Sequence, residues 1–513
     1  MSAKPIISVI IPCFNTAKFI DVCLQCFLNQ TVKPLEIIVV DDGSADNPEV
    51  IVAKYPQVTL LRHGKNKGYN AAKNSGIAKA RGEFIYIADS DAVYEPDCLE
   101  KLLSPLLNDK KLDFSYCDFC FKNVMGGVDK VIRAKEFNPK KLREANFISS
   151  CSLVRASKIL PADEAIGRLA DWDYWLTMIE KGRRGKRVPE VLFNAFLRND
   201  GISGRGNYDR EYWRLRIQEK HKLAPRVAVY TFTRDRLEYT KRTFAGLKKF
   251  GYPFDHYILD NASTDGTVNW LRTYKKNVKN THLFKSKVNL GISKSKNFLL
   301  GKIGNKYDYI MKLDNDCEIV SQDILRELII ISRALKDSAA LSQNVEGLNK
   351  PVKRLAFMKS GSHILAPVPI IGGIANFSPR RFYQGFKSNP DYMISKGDVQ
   401  FANHVWKSKG KMYYVEDLVV RHMDTTQGQI FRYPSYFDRR NQELDQQVAR
   451  ESKKPTDLTI LNNNAPYWQE VYRVSHNWRF GLLYLVSRAG LYPLFAKVVN
   501  LVLNIKRKIW IKL

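Results

Sequence analysis

Two aspartates separated by one residue, Asp89 and Asp91, come directly after an apolar run that ends at Ala88. Alternate residues of an extended backbone point to the same face, so both carboxylates can converge on one cation. Hard divalent ions such as Mg²⁺ or Mn²⁺ take oxygen ligands of this kind and keep positions open for phosphates. The pair therefore predicts a metal–phosphate site at the end of a buried strand, although an ordinary surface turn can carry the same pattern.

The pattern returns at Asp314 and Asp316, which follow a second apolar run much later in the chain. The separation between the two pairs is about the size of one domain. The recurrence favours a duplicated site over two chance turns, and it predicts that a whole domain is repeated.

The elements that would position Asp89 alternate between strand and helix patterns. A continuous β-branched run opens the chain, and runs of strand character recur before Asp41 and before Asp89, with helical patterns between them. This alternation predicts an α/β fold with a doubly wound, mostly parallel sheet, whose carboxyl ends would bind a nucleotide. The polar landmarks at these ends are Pro12, Asp41, Asp42, Asn66, Gly68 and Asp89.

A second set of landmarks appears in the same order after residue 226. We match it to the first set as Thr231, Asp260, Asn261, Asn289, Gly291 and Asp314. The matched order predicts one α/β domain over residues 1–222, a second over 226–425, and a C-terminal helical region over 426–513.

Each copy also carries a later aspartate. Asp171 precedes Pro189 by the same distance at which Asp398 precedes the matched Glu416. An acid at a helix start is most often an N-cap or a partner of the helix dipole. Its recurrence in two divergent copies favours a catalytic carboxylate. Asp173 remains a rival of Asp171, since it is the next residue but one in the chain.

Together these motifs resemble the family-2 glycosyltransferases of the GT-A fold, and both copies match. The resemblance implies a nucleotide-sugar donor, with Mn²⁺ or Mg²⁺ as cofactor, bound across the carboxyl ends of each sheet. It implies that Asp42 meets the base and that Asp89 and Asp91 hold the ribose–metal–diphosphate region. Asp171 and Asp398 would be the general bases, and Asp316 would be the second copy's metal ligand.

The second copy departs from this pattern. Asn261 stands in place of Asp42, and Thr231 is matched to Pro12, which leaves the base preference open because an amide can donate as well as accept hydrogen bonds. His422 follows at about the distance where some relatives place a metal-binding histidine, and an ordinary strand-end contact is the alternative. The first copy has Arg198 in that region, where a charge clamp on diphosphate is possible.

The chemistry implied is inversion: a carboxylate activates an acceptor hydroxyl while a cation neutralises the leaving diphosphate. We therefore predict a bifunctional enzyme that moves sugars, UDP-linked by preference, to a glycan or lipid-linked glycan acceptor such as a capsule or lipopolysaccharide chain. One alternative is that one copy is a non-catalytic acceptor-binding module. In either case the fold does not by itself decide the function.

The net charge of +30 favours anionic partners, among them nucleic acid, nucleotide phosphates and acidic membranes. A basic nucleic-acid-binding α/β protein is the alternative of another class, but it leaves the duplicated acidic sites unexplained, and we predict no nucleic-acid partner. No secretory signal and no apolar run long enough to span a membrane is visible. A basic amphipathic pattern over 494–512 predicts docking on an anionic membrane, with packing on a protein surface as the alternative. The expected location is cytoplasmic, at the inner face of the cell membrane.

Two Cys-x-x-Cys pairs, Cys23 with Cys26 and Cys117 with Cys120, raise the possibility of zinc. The first pair lies in a helical pattern and the second in an extended run. Neither pattern gives the knuckle geometry that a structural zinc site needs. We therefore predict reduced, mostly buried thiols.

Overall fold

The computed structural model describes residues 6–122, 129–196, 206–347, 354, 356–390, 397–423, 469, 473 and 485. The described chain divides into two compact units, residues 1–224 (the first unit) and 225–513 (the second unit). Arg198 and the amphipathic pattern over 494–512 lie outside the described residues, as does the predicted C-terminal region except for its three isolated positions.

The first unit alternates strands and helices from its first described residues. β1 is buried along its whole length, because its apolar side chains face helices on both sides of the sheet. The strands are β1 Ile7–Cys13, β2 Glu36–Asp41, β3 Val58–Arg62, β4 Phe84–Ile87, β5 Ala92–Tyr94, β6 Phe114–Lys122, β7 Lys130–Ile132, β8 Leu153–Arg155 and β9 Gly185–Phe196. The helices are α1 Ala17–Leu28, α2 Pro48–Val52, α3 Tyr69–Lys79, α4 Cys98–Asn108, α5 Pro139–Glu144, α6 Ala170–Glu180 and α7 Asn207–Lys220.

Within the described residues these strands form one sheet in the order β3-β2-β1-β4-β8-β6-β9-β5, with β7 paired to β6. The first four strands of this order are mutually parallel, whereas β8 runs antiparallel to β4 and to β6. The carboxyl ends of β1, β2 and β4 therefore meet at one edge, and the loops that follow them carry the predicted site residues.

The second unit repeats this plan. Its strands are β10 Val227–Thr233, β11 Asp255–Asn261, β12 Thr281–Ser286, β13 Tyr309–Leu313, β14 Cys317–Ile319, β15 Ala339–Glu346, β16 Met358–Ser360, β17 His363–Pro367, β18 Ala375–Pro379 and β19 Lys411–His422. Its helices are α8 Leu237–Gly246, α9 Thr267–Asn277, α10 Gly291–Ile303, α11 Ile324–Ala334 and α12 Gly397–Lys407. The sheet order is β12-β11-β10-β13-β18-β15-β19-β17-β16, with β14 paired to β19. The predicted α/β class and the repetition of one sheet fold are both confirmed.

The core of the first unit is formed where α1 and α4 pack on one face of the sheet. Phe27 of α1 lies against Tyr94, with ring centroids 4.5 Å apart, and both side chains are buried. Burying an aromatic side chain of this size stabilises the fold by about 1.5–3 kcal/mol. A continuous apolar layer on this face therefore stabilises the sheet whose carboxyl edge carries the predicted site residues.

All eight cysteines are free, and seven of them are buried.

No helix in the described ranges is both long and apolar enough to cross a membrane.

Gly43 shows how tightly the loop after β2 is built. Its φ is +76°, and a Cβ placed there would lie 2.7 Å from the carbonyl carbon of Lys65. We expect Gly43→Ala to destabilise the first unit by about 1–3 kcal/mol, because the added methyl group forces both a strained φ and a backbone shift. Thermal unfolding of the full chain measures this.

Gly64→Ala is the matched control, since a Cβ at Gly64 meets no atom within 4 Å. The control should leave the unfolding midpoint unchanged or slightly raised, because alanine restricts the unfolded chain. Equal losses in the two variants would show that the close approach to Lys65 does not constrain Gly43.

Candidate active sites

Asp42 holds the loop that leads into α3. Its buried carboxylate accepts hydrogen bonds from the backbone N–H groups of Lys67 and Gly68 at 2.9 and 2.8 Å, and it lies 2.6 Å from Nδ1 of His63. Asp41 instead closes its own turn by accepting from the Ser44 N–H at 2.9 Å. A carboxylate has about four acceptor positions, so Asp42 retains one for a ligand.

In the second unit, Asn261 holds the corresponding loop, which leads into α10. Its Oδ1 accepts from the Leu290 N–H at 2.8 Å, and its Nδ2 donates to Oδ1 of Asn289 at 2.7 Å. Asn289 in turn accepts from the Gly291 N–H at 3.0 Å. Asp260, like Asp41, closes a turn, here with Ser263. The loop before α10 is therefore braced by an amide where the loop before α3 is braced by a carboxylate.

The match between Thr231 and Pro12 is wrong. Pro12 pairs with Val40 next to Asp41, and the residue that pairs next to Asp260 in the second unit is Phe232. Thr231 lies one residue earlier and is fully buried, with its hydroxyl 3.2 Å from the ring of His256. A shift of one residue in a strand moves a side chain to the opposite face of the sheet. Phe232 therefore takes the position that corresponds to Pro12.

The predicted metal–phosphate residues of the first unit lie directly after β4. Tyr69 donates from its hydroxyl to Oδ1 of Asp89 at 3.3 Å. Burial and the neighbouring carboxylates of Asp91 and Asp171 raise the pKa of Asp89 to about 6. Beside this pair, the hydroxyls of Thr16 and Ser90 lie 2.8 Å apart. The carboxylates repel one another, as expected for a site that gains a cation.

The exposed Asn66 lies in the loop between β3 and α3.

Asp171 lies in the first turn of α6. Its carboxylate accepts from Nδ2 of Asn146 at 2.8 Å and from the Trp172 N–H at 2.9 Å, and burial raises its pKa. Asp173 is engaged elsewhere. It is buried against Nε2 of His221 at 2.9 Å and Nζ of Lys220 at 2.8 Å. The ion pairs of Asp173 favour Asp171 as the available carboxylate.

The sequence interpretation did not identify Lys73, a buried lysine near Asp89 and Asp171. Nζ of Lys73 lies 3.4 Å from the ring centroid of Tyr174, and burial lowers the lysine's pKa to about 7 against the opposing charges of Asp171 and Asp89. Lys296 is its counterpart, buried, with its pKa lowered to about 8. The signal was present, since both lysines hold the same place in the repeated segment before Asn74 and Asn297.

The second unit places Asp314 and Asp398 around Lys312. Nζ of Lys312 lies 2.9 Å from Oδ1 of Asp314 and donates to the carbonyl of Gly373. A Cβ added to Gly373 would lie 2.6 Å from Oδ1 of Asp398 and 2.8 Å from Nζ of Lys312, so the lysine and Asp398 flank the same glycine. Burial and Asp316 raise the pKa of Asp314 to about 6, although Lys312 opposes them.

Asp316 is buried and meets two further groups. Its Oδ2 forms an ion pair with Nη1 of Arg236 and lies 3.4 Å from Nε2 of His422. Burial opposes ionisation, yet His422 and Arg236 lower the pKa of Asp316 to about 2. The structure thus brings His422 and Asp316 together, as the sequence interpretation expected, and adds an arginine that it did not.

The carboxylate pairs suit a hard divalent cation by the chemistry of their oxygens. Among the described residues, no three His, Cys, Asp or Glu side chains form a group that could hold a metal ion by themselves. A cation held by Asp89 and Asp91 would therefore complete its shell with ligand phosphates and water, as Mg²⁺ and Mn²⁺ do. In the second unit, Arg236 already occupies an oxygen of Asp316.

Comparison with known families gives two matches within the chain. The family described as Glycosyl transferase family 2 matches residues 8–159 and 227–354, which together make up more than half of the 513 residues. The two matched segments begin in β1 and β10, and each includes one of the acidic pairs described above.

The chain is also similar to two synthases of Pasteurella multocida. It is 32% identical to a chondroitin synthase over 207 residues, which cover 39% of this chain and 21% of the synthase. A hyaluronan synthase gives the same identity and the same coverage. The match therefore spans about a fifth of the length of these curated relatives. Among solved structures, S. aureus TarS 1-349 in complex with UDP aligns with 41% of this chain and 64% of its own, at 20% identity and a TM-score of 0.34.

The ion pairs of Asp173 predict a structural role. We expect Asp173→Ala to lower the free energy of unfolding of the first unit by about 2–3 kcal/mol, because it removes the buried carboxylate that pairs with both His221 and Lys220, which keep only Glu180 and Asp163 as anionic partners. Asp171→Ala, the matched control, should cost much less. Denaturant titration of both variants is the measurement, and a larger loss for Asp171→Ala would contradict the assignment.

His221 adds a pH dependence. Burial lowers the pKa of His221, but the hydrogen bonds to Asp173 and Glu180 outweigh burial and the net pKa is raised. The stabilisation is full below the ordinary histidine pKa and is lost as the pH rises through the higher folded-state value. His221→Gln should therefore lower the unfolding midpoint more at pH 6 than at pH 9. In an Asp173→Asn, Glu180→Gln background this pH difference should shrink.

Proposed function

The chain belongs to glycosyltransferase family 2, and from that premise we propose that it transfers sugars from nucleotide-sugar donors at two sites, one in each unit. The observation that carries the proposal is the recurrence of one arrangement. In each unit an acidic pair, a later aspartate at a helix start and a buried lysine meet at the carboxyl edge of the parallel strands. The lysines are Lys73 and Lys296.

We assign the donor to the edge formed by the loops after β1, β2 and β4. Asp42 keeps one acceptor position, which suits the N–H of a base such as uracil, so UDP-linked sugars are the donors we propose for the first unit. Asn261 offers a donor as well as an acceptor, and the second unit therefore accepts a different set of bases or sugars. The residues that would line these sites, with Phe232 replacing Thr231, are Pro12, Asp41, Asp42, Asn66, Gly68, Asp89, Phe232, Asp260, Asn261, Asn289, Gly291 and Asp314.

The transfer step uses Asp171 in the first unit and Asp398 in the second. The carboxylate accepts the proton of an acceptor hydroxyl, and the hydroxyl oxygen forms a bond to the anomeric carbon from the face opposite the diphosphate. The bond from that carbon to the diphosphate oxygen breaks, which inverts the configuration. Burial raises the pKa of Asp171 and so strengthens it as a base, while Asn146 keeps the carboxylate oriented.

Mn²⁺ or Mg²⁺ would be held by Asp91 in the first unit and by Asp316 with His422 in the second. When bound, the ion supplies positive charge to the diphosphate as it leaves. Lys73 lies near both Asp89 and Asp171, where its charge holds the base beside the donor.

The acceptor we propose is a growing surface glycan, such as a capsule or lipopolysaccharide chain, presented free or on a lipid. Relatives named for the synthesis of chondroitin and hyaluronan support a polysaccharide product. Two sites in one chain would alternate two sugars or make two successive linkages. We also propose that residues 494–512 attach the enzyme to the inner face of the cell membrane through their basic amphipathic pattern.

A second possibility has a specific observation in its favour. The second unit has Asn261 in place of Asp42, and its Asp316 already forms an ion pair with Arg236. A site altered in this way can bind an acceptor without catalysing transfer. The second unit would then be an acceptor-binding module next to one catalytic unit.

Transfer assays on Asp91→Ala and Asp316→Ala test both possibilities. We expect each variant to lose transfer of a different sugar by about 100-fold or more, on the order of the loss expected from removing a charge-stabilising group. The measurement is product formation with a panel of nucleotide sugars and an oligosaccharide acceptor. Asp171→Asn and Asp398→Asn should give the same two patterns of loss while donor binding persists.

The matched control is Asp173→Asn, which should keep transfer at temperatures where the first unit stays folded. Loss of every activity in Asp91→Ala together with none in Asp316→Ala would establish the acceptor-binding role of the second unit. Full transfer in both Asp171→Asn and Asp398→Asn would refute the assigned bases.

A further inference from the structure

One asparagine in each unit forms a two-way hydrogen bond with the backbone of a loop that precedes the proposed base. Nδ2 of Asn74 donates to the carbonyl of Ala162 at 2.9 Å, and Oδ1 of Asn74 accepts from the Ala162 N–H at 2.8 Å. Nδ2 of Asn297 donates to the carbonyl of Ser388 at 2.7 Å, and its Oδ1 accepts from the Ser388 N–H at 2.9 Å. A carboxamide suits this contact because it offers a donor and an acceptor side by side.

The two asparagines hold the same place in the repeated fold. Asn74 follows Lys73 on α3, and Asn297 follows Lys296 on α10. Each of these helices begins at a loop that carries proposed donor residues. Because one contact recurs in both units, it belongs to what the two sites share rather than to the packing of one of them.

In the first unit the bonded loop leads directly into α6, the helix that carries the proposed base. We call residues 162–169 the base segment. Asn70 lies one turn before Asn74 on α3, and its Nδ2 donates to the carbonyl of Asp163 at 2.7 Å. Nδ2 of Asn74 also donates to Oε1 of Glu164 at 2.9 Å. Because residues four apart lie on one face of a helix, α3 holds the start of the base segment along a single face.

The base segment is anchored at its other end to α7. Nη1 of Arg168 donates to the carbonyl of Gly206 and to Oδ2 of Asp209, both at 3.0 Å. At the α3 end, Ala162 is buried, so its backbone groups depend on a protein partner. The two-way bond of Asn74 supplies that partner. Its loss would leave the segment fixed at α7 and loosened at α3.

The lysine beside each asparagine contacts the helix of the base itself. Nζ of Lys73 lies over the ring of Tyr174 in α6, and Nζ of Lys296 donates to the carbonyl of Gly397, the first residue of α12, at 3.4 Å. The lysine and the asparagine thus connect the helix that follows the donor loop to the chain on which the base lies. Removal of the asparagine keeps the charge of the lysine in the site, so the effect of each contact can be measured alone.

We propose that Asn74 and Asn297 are positioning residues for transfer, which fix the carboxylates of Asp171 and Asp398 relative to the donor. Proposed donor residues lie in the loops that lead into α3 and α10, so a bond from the same helices keeps the distance between base and sugar constant. A misplacement of about 1 Å between reacting groups costs on the order of 100-fold in rate. The inference rests on the proposed function, since it takes Asp171 and Asp398 to be the bases.

The ratio of sugar transfer to donor hydrolysis separates a positioning role from a role in folding. An acceptor hydroxyl on a bound glycan has a fixed place, whereas a water molecule can follow a displaced carboxylate. A displaced base therefore slows transfer more than it slows hydrolysis. A smaller folded fraction lowers both rates equally and leaves their ratio unchanged.

Both rates are measured on the full chain with a glycan acceptor and the donors found for each unit. We expect Asn74→Ala to lower the ratio at the first site by about tenfold, because the base is displaced from the acceptor hydroxyl. The affinity for UDP should stay within about twofold of wild type, because no proposed donor residue is changed. Asn297→Ala should do the same at the second site and leave the first site unchanged.

Asn108→Ala is the matched control. Nδ2 of this exposed asparagine lies 3.5 Å from Oγ of Ser104 on its own helix, α4, and does not contact the base segment. The control should leave the ratio of transfer to hydrolysis unchanged at both sites.

Hydrogen exchange of the full chain gives a readout that needs no transfer. Asn74→Ala should speed the exchange of the backbone amides of the base segment by about tenfold, as expected when hydrogen bonds that hold a segment are lost. Asn108→Ala should leave the exchange of this segment as slow as in wild type. The exchange of β1 and β4 should not change in either variant, which shows that the sheet stays folded.

An unchanged ratio in Asn74→Ala would overturn the inference for the first site, even where both rates fall, and unchanged exchange of the base segment would do the same. Asn297→Ala is judged in the same way at the second site. The proposed function is judged on wild type alone. If wild type transfers sugar and the variants keep its ratio, the inference alone fails; if no donor supports transfer in wild type, the proposed function fails and the inference fails with it.

Discussion

The repulsion between carboxylates at one edge of a parallel sheet governs how this protein is built. Asp89 and Asp91 follow the carboxyl end of β4, and the start of α6 brings Asp171 close to them in a partly buried place. Burial and the nearby carboxylates together raise the pKa of Asp89 to about 6. Such a site is stable in its ionised form only when positive charge is supplied. Lys73 supplies part of that charge from within the fold.

Hydrogen bonds from backbone N–H groups hold the loops at this edge, whatever the charge of the side chain that accepts them. Asp42 and Asn261 differ in charge, yet each accepts a hydrogen bond from the loop before the next helix, through Lys67 and Leu290 respectively. The geometry of the edge therefore survives the exchange of a carboxylate for an amide. What changes is the set of hydrogen bonds left over for a ligand, because an amide can donate where a carboxylate only accepts.

The sequence predicted the alternation of strands and helices up to each acidic pair and the repetition of the domain, because apolar periodicity and strand-end aspartates are local signals. It did not predict the register of Thr231, since a one-residue shift keeps the same composition while moving the side chain to the other face. Nor did it separate Asp171 from Asp173, which share one helical turn. Only the packing of α7, which supplies Lys220 and the adjoining His221, distinguishes them.

Arg236 was missed for a related reason. It precedes α8 and is far from Asp316 in the chain, so no window of sequence shows that the two side chains form an ion pair. Lys312 of β13 and His422 at the end of β19 contact the same acidic pair, and the pairing of β14 with β19 places His422 there. Duplication fixes the backbone of both sites at once, but charge can then change in one copy without disturbing the other.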